Sequence, residues 1–351
     1  MGLTQTQKAM IERARAAGGS DHAIPLTDEI CAFLVGVIAR DFGLLARFPE
    51  LPNDTPQFFD HCDLASLRAP GVDFLPVMER LVGLVPDSDM FFACLANLHK
   101  RRLKYERILQ TQPIPTIEQV GPRGLLQFGT VCAKALTSLL LWRKWFFDID
   151  NRAGQETGYL FEPIIAHAIG GVPFSAKVSP IRRATDSRKG RQVDCIRQQK
   201  AYEFKIRVTI ASSGQGRWRE EIDFPTDCRQ SGYTPVLVVL DSTPNQKLDQ
   251  LEAAFLQQGG AVYKGEAAWD HLRSVAGPTM GLFLEKYVRV PIQALLEEVP
   301  DNLPEFAARL DGNQMTISVD GEPMLIRRMP ELVDDEIQEL PDDADSQIPG
   351  P

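Results

Sequence analysis

Val193-Asp-Cys-Ile-Arg-Gln-Gln-Lys-Ala-Tyr-Glu-Phe-Lys-Ile-Arg-Val208 is the stretch that decides the fold. Apolar and polar residues alternate on either side of Gln198-Gln199, the pattern of two strands joined by a two-residue turn. That turn sets an antiparallel register in which Asp194 opposes Glu203, with side chains about 5 Å apart. Period two gathers Asp194, Ile196, Glu203, Lys205 and Arg207 on one face, and Val193, Cys195, Tyr202, Phe204 and Ile206 on the other. The second set is a core face, and the first carries two carboxylates and an ammonium.

Opposed carboxylates repel, so this pair costs stability unless a cation lies between them. A divalent ion resolves the conflict. Mg²⁺ takes oxygen ligands, keeps several waters and typically joins protein through one or two carboxylates plus a substrate phosphate. Lys205, on the same face, can hold a water or stabilise charge on a phosphoryl oxygen. The competing reading is a solvated edge in which Lys205 and Arg207 pair with the two acids. Three features favour chemistry: Glu162 on the preceding helix faces the sheet as a third acid, the surrounding sequence is strongly basic, and a buried strand follows at Pro235 to Leu240.

Outward from the hairpin, the chain divides in character. Residues 1–150 read as mostly helical, with segments Thr4–Ala17, Leu26–Phe42, Phe74–Val82, Ser88–Leu109 and Gly124–Phe147 between Pro and Gly clusters. From Gly154 the expectation is a helix Glu156–Ile169, with Pro163 near its first turn, then strands Phe174–Ile181, Gln192–Arg197 and Ala201–Ala211. The apolar run Thr234-Pro-Val-Leu-Val-Val-Leu240 reads as a central strand covered on both faces, followed by a helix Gln246–Gln258 and a strand Ala261–Tyr263 in a β-α-β pattern. Helices Glu266–Val275 and Thr279–Glu298, the second broken near Pro291, lead to a hairpin around Asp320-Gly321. The expected organisation is a helical region 1–150 serving DNA binding or dimerisation, a catalytic domain 151–330, and a disordered acidic tail 331–351.

The net charge of −9 is unevenly spread. Eight acids and no bases follow Pro330, which leaves residues 1–330 at −1, while residues 177–219 hold twelve bases against three acids. A phosphate backbone can dock on that segment. The six cysteines are widely spaced and form no C-x-x-C pair, so they read as reduced, buried thiols of a cytoplasmic protein. No apolar stretch is long and uncharged enough to span a bilayer. The five histidines lack H-E-x-x-H spacing, and no G-x-x-x-x-G-K-S/T is present, which argues against zinc and ATP chemistry.

Glu162 on a helix, Asp194 on one strand and Glu203-Phe-Lys205 on the next resemble the PD-(D/E)XK nuclease superfamily, especially type II restriction endonucleases, over about Gly154 to Lys264. Val193 stands where that pattern has a proline. The helical front half and Gly158-Tyr-Leu-Phe-Glu162 are similar to ApaLI-like restriction endonucleases. The resemblance implies an α/β fold with a mixed central sheet flanked by helices. It also implies Asp194 and Glu203 as Mg²⁺ ligands, Lys205 as the residue that handles the water, and Glu162 as an auxiliary acid and metal ligand. It further implies hydrolysis of double-stranded DNA to 5′-phosphate and 3′-hydroxyl ends, a homodimer matching a palindromic site, and a cognate DNA methyltransferase as a functional partner.

Candidate DNA contacts follow from charge and placement. Gln215, Arg217 and Arg219, in an expected glycine-bearing loop from Ser212, are placed to read base edges or grip phosphate. Arg182, Arg183, Arg188, Lys189 and Arg191 are expected to supply the salt-sensitive backbone contacts. A structure-specific repair or recombination nuclease of the same superfamily, and a noncatalytic DNA-binding protein, stay open as alternatives.

Overall fold

The computed structural model describes residues 2–17, 24–60, 62–206, 215–241, 246–298 and 302–329. Helices α1 (Gln5–Arg15), α2 (Asp28–Asp41) and α3 (Phe74–Leu84) begin where Thr4, Thr27 and Asp73 accept backbone N–H groups that the first turn leaves unpaired. They pack around α4 (Ser88–Thr111), whose Phe91, Phe92 and Leu95 are fully buried. A short α5 (Ile117–Gly124), capped by Thr116 and Gln119, was not expected from the sequence. It leads to α6 (Ala133–Ala168).

Helix α6 corrects one expectation: the two helices foreseen on either side of Gly154 are a single 36-residue helix with Pro163 in its interior. An internal glycine costs about 1 kcal/mol and an internal proline about 3 kcal/mol. Burial on either side of the two glycines outweighs these costs, through Trp145 and Ile149 before them and Ile164, Ile165 and Ala168 after.

Strands β1 (Val172–Phe174), β2 (Arg182–Arg183), β3 (Asp186–Gly190), β4 (Val193–Arg197) and β5 (Lys200–Lys205) follow. The strand expected over Phe174–Ile181 is thus only β1, and β2 and β3 make a separate small hairpin. The chain continues through α7 (Gln215–Gln230), β6 (Thr234–Val239), α8 (Gln246–Gln257) and β7 (Ala261–Lys264). The main sheet has the order β1-β4-β5-β6-β7, with the first two pairings antiparallel and the last two parallel. This is the expected mixed sheet, and α7 and α8 are its crossovers.

The turn at Gln198-Gln199 gives the expected register, Arg197↔Lys200, Ile196↔Ala201 and Cys195↔Tyr202. Gln198 takes a φ of 56° to make it. Cys195, Tyr202, Phe204, Val236 and Val238 face a core shared with α1–α4 and α6, so the helical front half and the sheet bury one continuous apolar body. Gly171 lets α6 hand the chain to β1 beside β4, because a Cβ there would collide with the Cys195 sulfur.

The opposite face corrects the sequence reading. It is covered, with Ala201, Leu237 and Val239 packing on Phe224 and Cys228 of α7 and on Leu248, Leu251 and Phe255 of α8. Val193 joins this second core, not the Cys195 side, because the β1–β4 register shifts between Val172 and Phe174.

After β7, helix α9 (Glu266–Leu284) breaks at Gly277, whose φ is 76°, and passes through a π-helical turn (Glu285–Arg289) into α10 (Val290–Glu297). Strands β8 (Phe306–Asp311), β9 (Gln314–Val319) and β10 (Glu322–Arg327) form a meander whose Met315, Ile317 and Ile326 pack on Trp145 and Ile149. The Asp320-Gly321 hairpin turn was expected, while β8 was not. All six cysteines are free; Cys132 is exposed and Cys62 half-buried, against the expectation that all are buried. Among the described residues no helix is long and apolar enough to cross a membrane. The acidic tail 331–351 lies outside the described residues.

Candidate active site

Three elements bring the charged residues together. Strand β4 carries Asp194, the adjacent β5 carries Glu203 and Lys205 one pleat apart, and the last turns of α6 carry Glu162. The regular β4–β5 pairing ends at Cys195↔Tyr202, and Asp194 lies just beyond it, where β4 is irregular. There the Asp194 carboxylate turns inward, and its Oδ2 accepts the Phe204 backbone N–H at 2.8 Å.

Lys205 Nζ donates to Glu203 Oε1 at 2.9 Å and lies 3.3 Å from Glu221 Oε1. These side chains are only 17–21% exposed, so their charges are weakly screened. Glu221 was missed in the sequence because α7 was taken for a loop. Once α7 is read as a helix, Glu221 shares an inward stripe with Phe224 and Cys228, three and seven residues on.

The electrostatics follow from crowding. Burial, then the Glu203 carboxylate, pushes Glu162 up to about 7 against the pull of Lys205. Burial, Glu203 and Glu162 likewise raise Asp194 well above the carboxylate range, opposed by Lys205 and the Phe204 N–H. For Lys205, burial disfavours the charge, but Glu203, Glu221 and Asp194 outweigh it and hold the ammonium above its usual range. The cluster therefore has more negative charge than one ammonium balances.

The donor set suits a hard divalent cation. It offers carboxylate oxygens in excess, one of them, Glu221 Oε2, shielded from solvent without a hydrogen-bond partner. Among the described residues no three acidic, imidazole or thiol groups are already drawn together as a cation cage, and Lys205 stands between Glu203 and Glu221.

The basic residues divide by environment. Arg182, Arg188 and Lys189 are exposed, with Arg188 3.2 Å and Lys189 3.9 Å from Asp186. Arg183 pairs with Glu220 at 2.8 Å. Arg191 is buried; it pairs with Asp227 at 3.0 Å, donates to the Glu220 carbonyl and lies over the Phe224 ring, so it fastens the start of β4 to α7 and does not reach the surface.

Gln215, Arg217 and Arg219 open helix α7 instead of lying in a loop; Arg219 is exposed, and the side chains of Gln215 and Arg217 lie outside the described residues. Residues 207–214, including Arg207, also lie outside them. Trp218 packs on the α7–α8 core. Asp227 is on α7 and also accepts the Ala184 N–H at 2.7 Å. His167 is buried near the end of α6, as a structural histidine would be.

Residues 74–289 match the model of the ApaLI-like restriction endonuclease family. The chain is also 48% identical over 324 residues to the type II restriction enzyme ApaLI of Acetobacter pasteurianus, covering 85% of this chain and 86% of that one. No solved structure matches. The matched span includes Glu162, Asp194, Glu203 and Lys205, and the mixed sheet carrying the last three is the one that the resemblance implied. On this extent of similarity, the chain belongs to the ApaLI-like restriction endonuclease family.

Proposed function

We propose that this restriction endonuclease hydrolyses duplex DNA at a short specific site with Mg²⁺, using Asp194, Glu203 and Lys205, with Glu162 as auxiliary acid. The observation that carries the reading is Lys205, held 2.9 Å from Glu203 beside two carboxyl groups whose ionisation the site opposes. Asp194, Glu203 and Glu162 would hold the cation, which supplies charge stabilisation at the phosphoryl group and the leaving oxygen. Lys205, kept charged by Glu203, Glu221 and Asp194, is a hydrogen-bond donor placed to orient the attacking water. Glu162 is placed to keep or release a proton near neutral pH. The products are 5′-phosphate and 3′-hydroxyl ends.

The exposed Arg182, Arg188, Lys189 and Arg219 flank the site in sequence and suit phosphate contacts. Gln215 and Arg217 open the same helix as Glu221 and are the residues proposed to read bases. We assign the helical region 1–150 to DNA binding or dimerisation, residues 151–330 to catalysis, and a homodimer to a palindromic site. A cognate methyltransferase is its functional partner. The six unbridged thiols fit the reducing cytoplasm.

The test is to incubate the purified protein with mixed-sequence duplex DNA and Mg²⁺. Discrete fragments are expected, and Glu203→Ala should abolish them while leaving the fold intact. A smear or a preference for branched DNA would assign the site to structure-specific cutting, and retention of DNA without scission would make the protein a noncatalytic binder.

A further inference from the structure

Lys205 has two carboxylate partners of different origin. Glu203 lies on the same strand and belongs to the proposed cation ligands; Glu221 reaches across from α7. One ammonium has three donors and can bridge both. Glu221 offers Oε1 to Lys205 and keeps Oε2 in a solvent-shielded position without a hydrogen-bond partner, a costly arrangement for a carboxylate.

The charges must rearrange when a divalent cation binds at Glu203. The ammonium would then lose part of its hold on Glu203 and be repelled by the cation. A lysine with a single partner would either stay on Glu203 and compete with the cation, or swing away on its flexible stem. A second carboxylate on the α7 side gives it a counter-charge that cation binding does not consume.

We infer that Glu221 is a positioning residue that acts through Lys205, drawing the ammonium off Glu203 and holding it in place while Glu203 takes the cation. This rests on the reading of Glu203 as a cation ligand. Glu221 needs no contact with DNA or cation for this role.

The test is a double-mutant cycle on the full chain, with Mn²⁺ binding by calorimetry and steady-state cleavage as readouts. Glu221→Gln keeps the shape and removes the charge. It should weaken Mn²⁺ binding roughly tenfold when Lys205 is present, but less than about threefold in a Lys205→Met background. Cleavage by Glu221→Gln should lose kcat on the order of 10- to 100-fold with KM for DNA unchanged. Glu221→Asp, which keeps the charge on a shorter arm, should recover part of both.

Equal losses of Mn²⁺ affinity in the two backgrounds would make Glu221 a direct ligand and overturn the inference. So would a Glu221→Gln protein that binds Mn²⁺ and cuts like the wild type, or a Glu221→Asp protein no better than Gln. A wild type that cuts DNA and needs Glu203 and Lys205, yet ignores Glu221, leaves the proposed function standing and removes this inference alone.

Discussion

The Asp194 carboxylate accepts the Phe204 backbone N–H at 2.8 Å, so one side chain both closes the β4–β5 hairpin and stands among the site's carboxylates. The two tasks separate by substitution. Asp194→Asn keeps an acceptor for that N–H and removes a group whose ionisation the site opposes. We expect its stability to equal or exceed the wild type, with cleavage abolished. Asp194→Ala strands the Phe204 N–H and should lose about 1–3 kcal/mol. Urea unfolding of both variants checks the contrast, and a large loss of stability in Asp194→Asn would contradict it.

Metal-linked stability should depend on pH with a definite sign. Glu162 sits at about 7 against an ordinary 4.5, and Asp194 is raised as well. Between the ordinary carboxylate values and about 7 the folded state binds more protons than the unfolded chain, so these groups lower stability as pH rises through that window. A cation that neutralises the carboxylates offsets the loss. Mg²⁺ should therefore raise Tm more at pH 8 than at pH 5.5, and excess chelator should reverse the gain. Equal Mg²⁺ shifts at the two pH values would contradict this.

The buried histidines act in the opposite sense. Burial lowers His99 and His167 from 6.5 to about 4, and both ring nitrogens of His99 lack hydrogen-bond partners. In this window the unfolded state binds more protons, so their contribution is lost as pH falls from 6.5 towards 4. The loss is about 1.4 kcal/mol per pH unit for each histidine. Relative to the wild type, His99→Leu should gain stability steadily as pH drops from 7 to 4.5. A pH-independent difference in denaturant midpoint would show that His99 is not held neutral.

Arg191 and Arg188 are three residues apart and should behave differently. Arg191→Ala leaves Asp227 without its buried partner, a loss of about 3–5 kcal/mol, and its effect on DNA binding should follow unfolding. Arg188→Ala should leave stability within about 0.5 kcal/mol, because the residue is exposed. If it grips phosphate, the salt dependence of DNA affinity should shrink by about one charge. A stable Arg191→Ala protein with a reduced salt slope would reverse the two assignments.

Much of the site was legible because period two and a two-residue turn fix a register. Gln198-Gln199 was enough to pair Cys195 with Tyr202 and so to bring Asp194 close to Glu203 and Lys205, but not to show that β4 is irregular at Asp194. Helix α7 was hidden because Gly214 and Gly216 read as loop and Pro225 reads as a helix breaker, and Glu221 was lost with it. Arg191 was counted with the basic surface because local charge carries no information about a partner 36 residues away. The break placed near Gly154 failed for a related reason: packing of α6 on either side of Gly154 overrides the local penalties of its Gly and Pro residues.

The most direct measurement is single-turnover cleavage of a duplex of known sequence, with and without Mg²⁺, by the wild type and by Lys205→Ala, followed by sequencing of the ends. Discrete cuts that require Mg²⁺, bear 5′-phosphates and vanish in Lys205→Ala while the protein keeps its melting temperature are the predicted result. Cleavage by Lys205→Ala at the wild-type rate would contradict a hydrolytic site built on Asp194, Glu203 and Lys205.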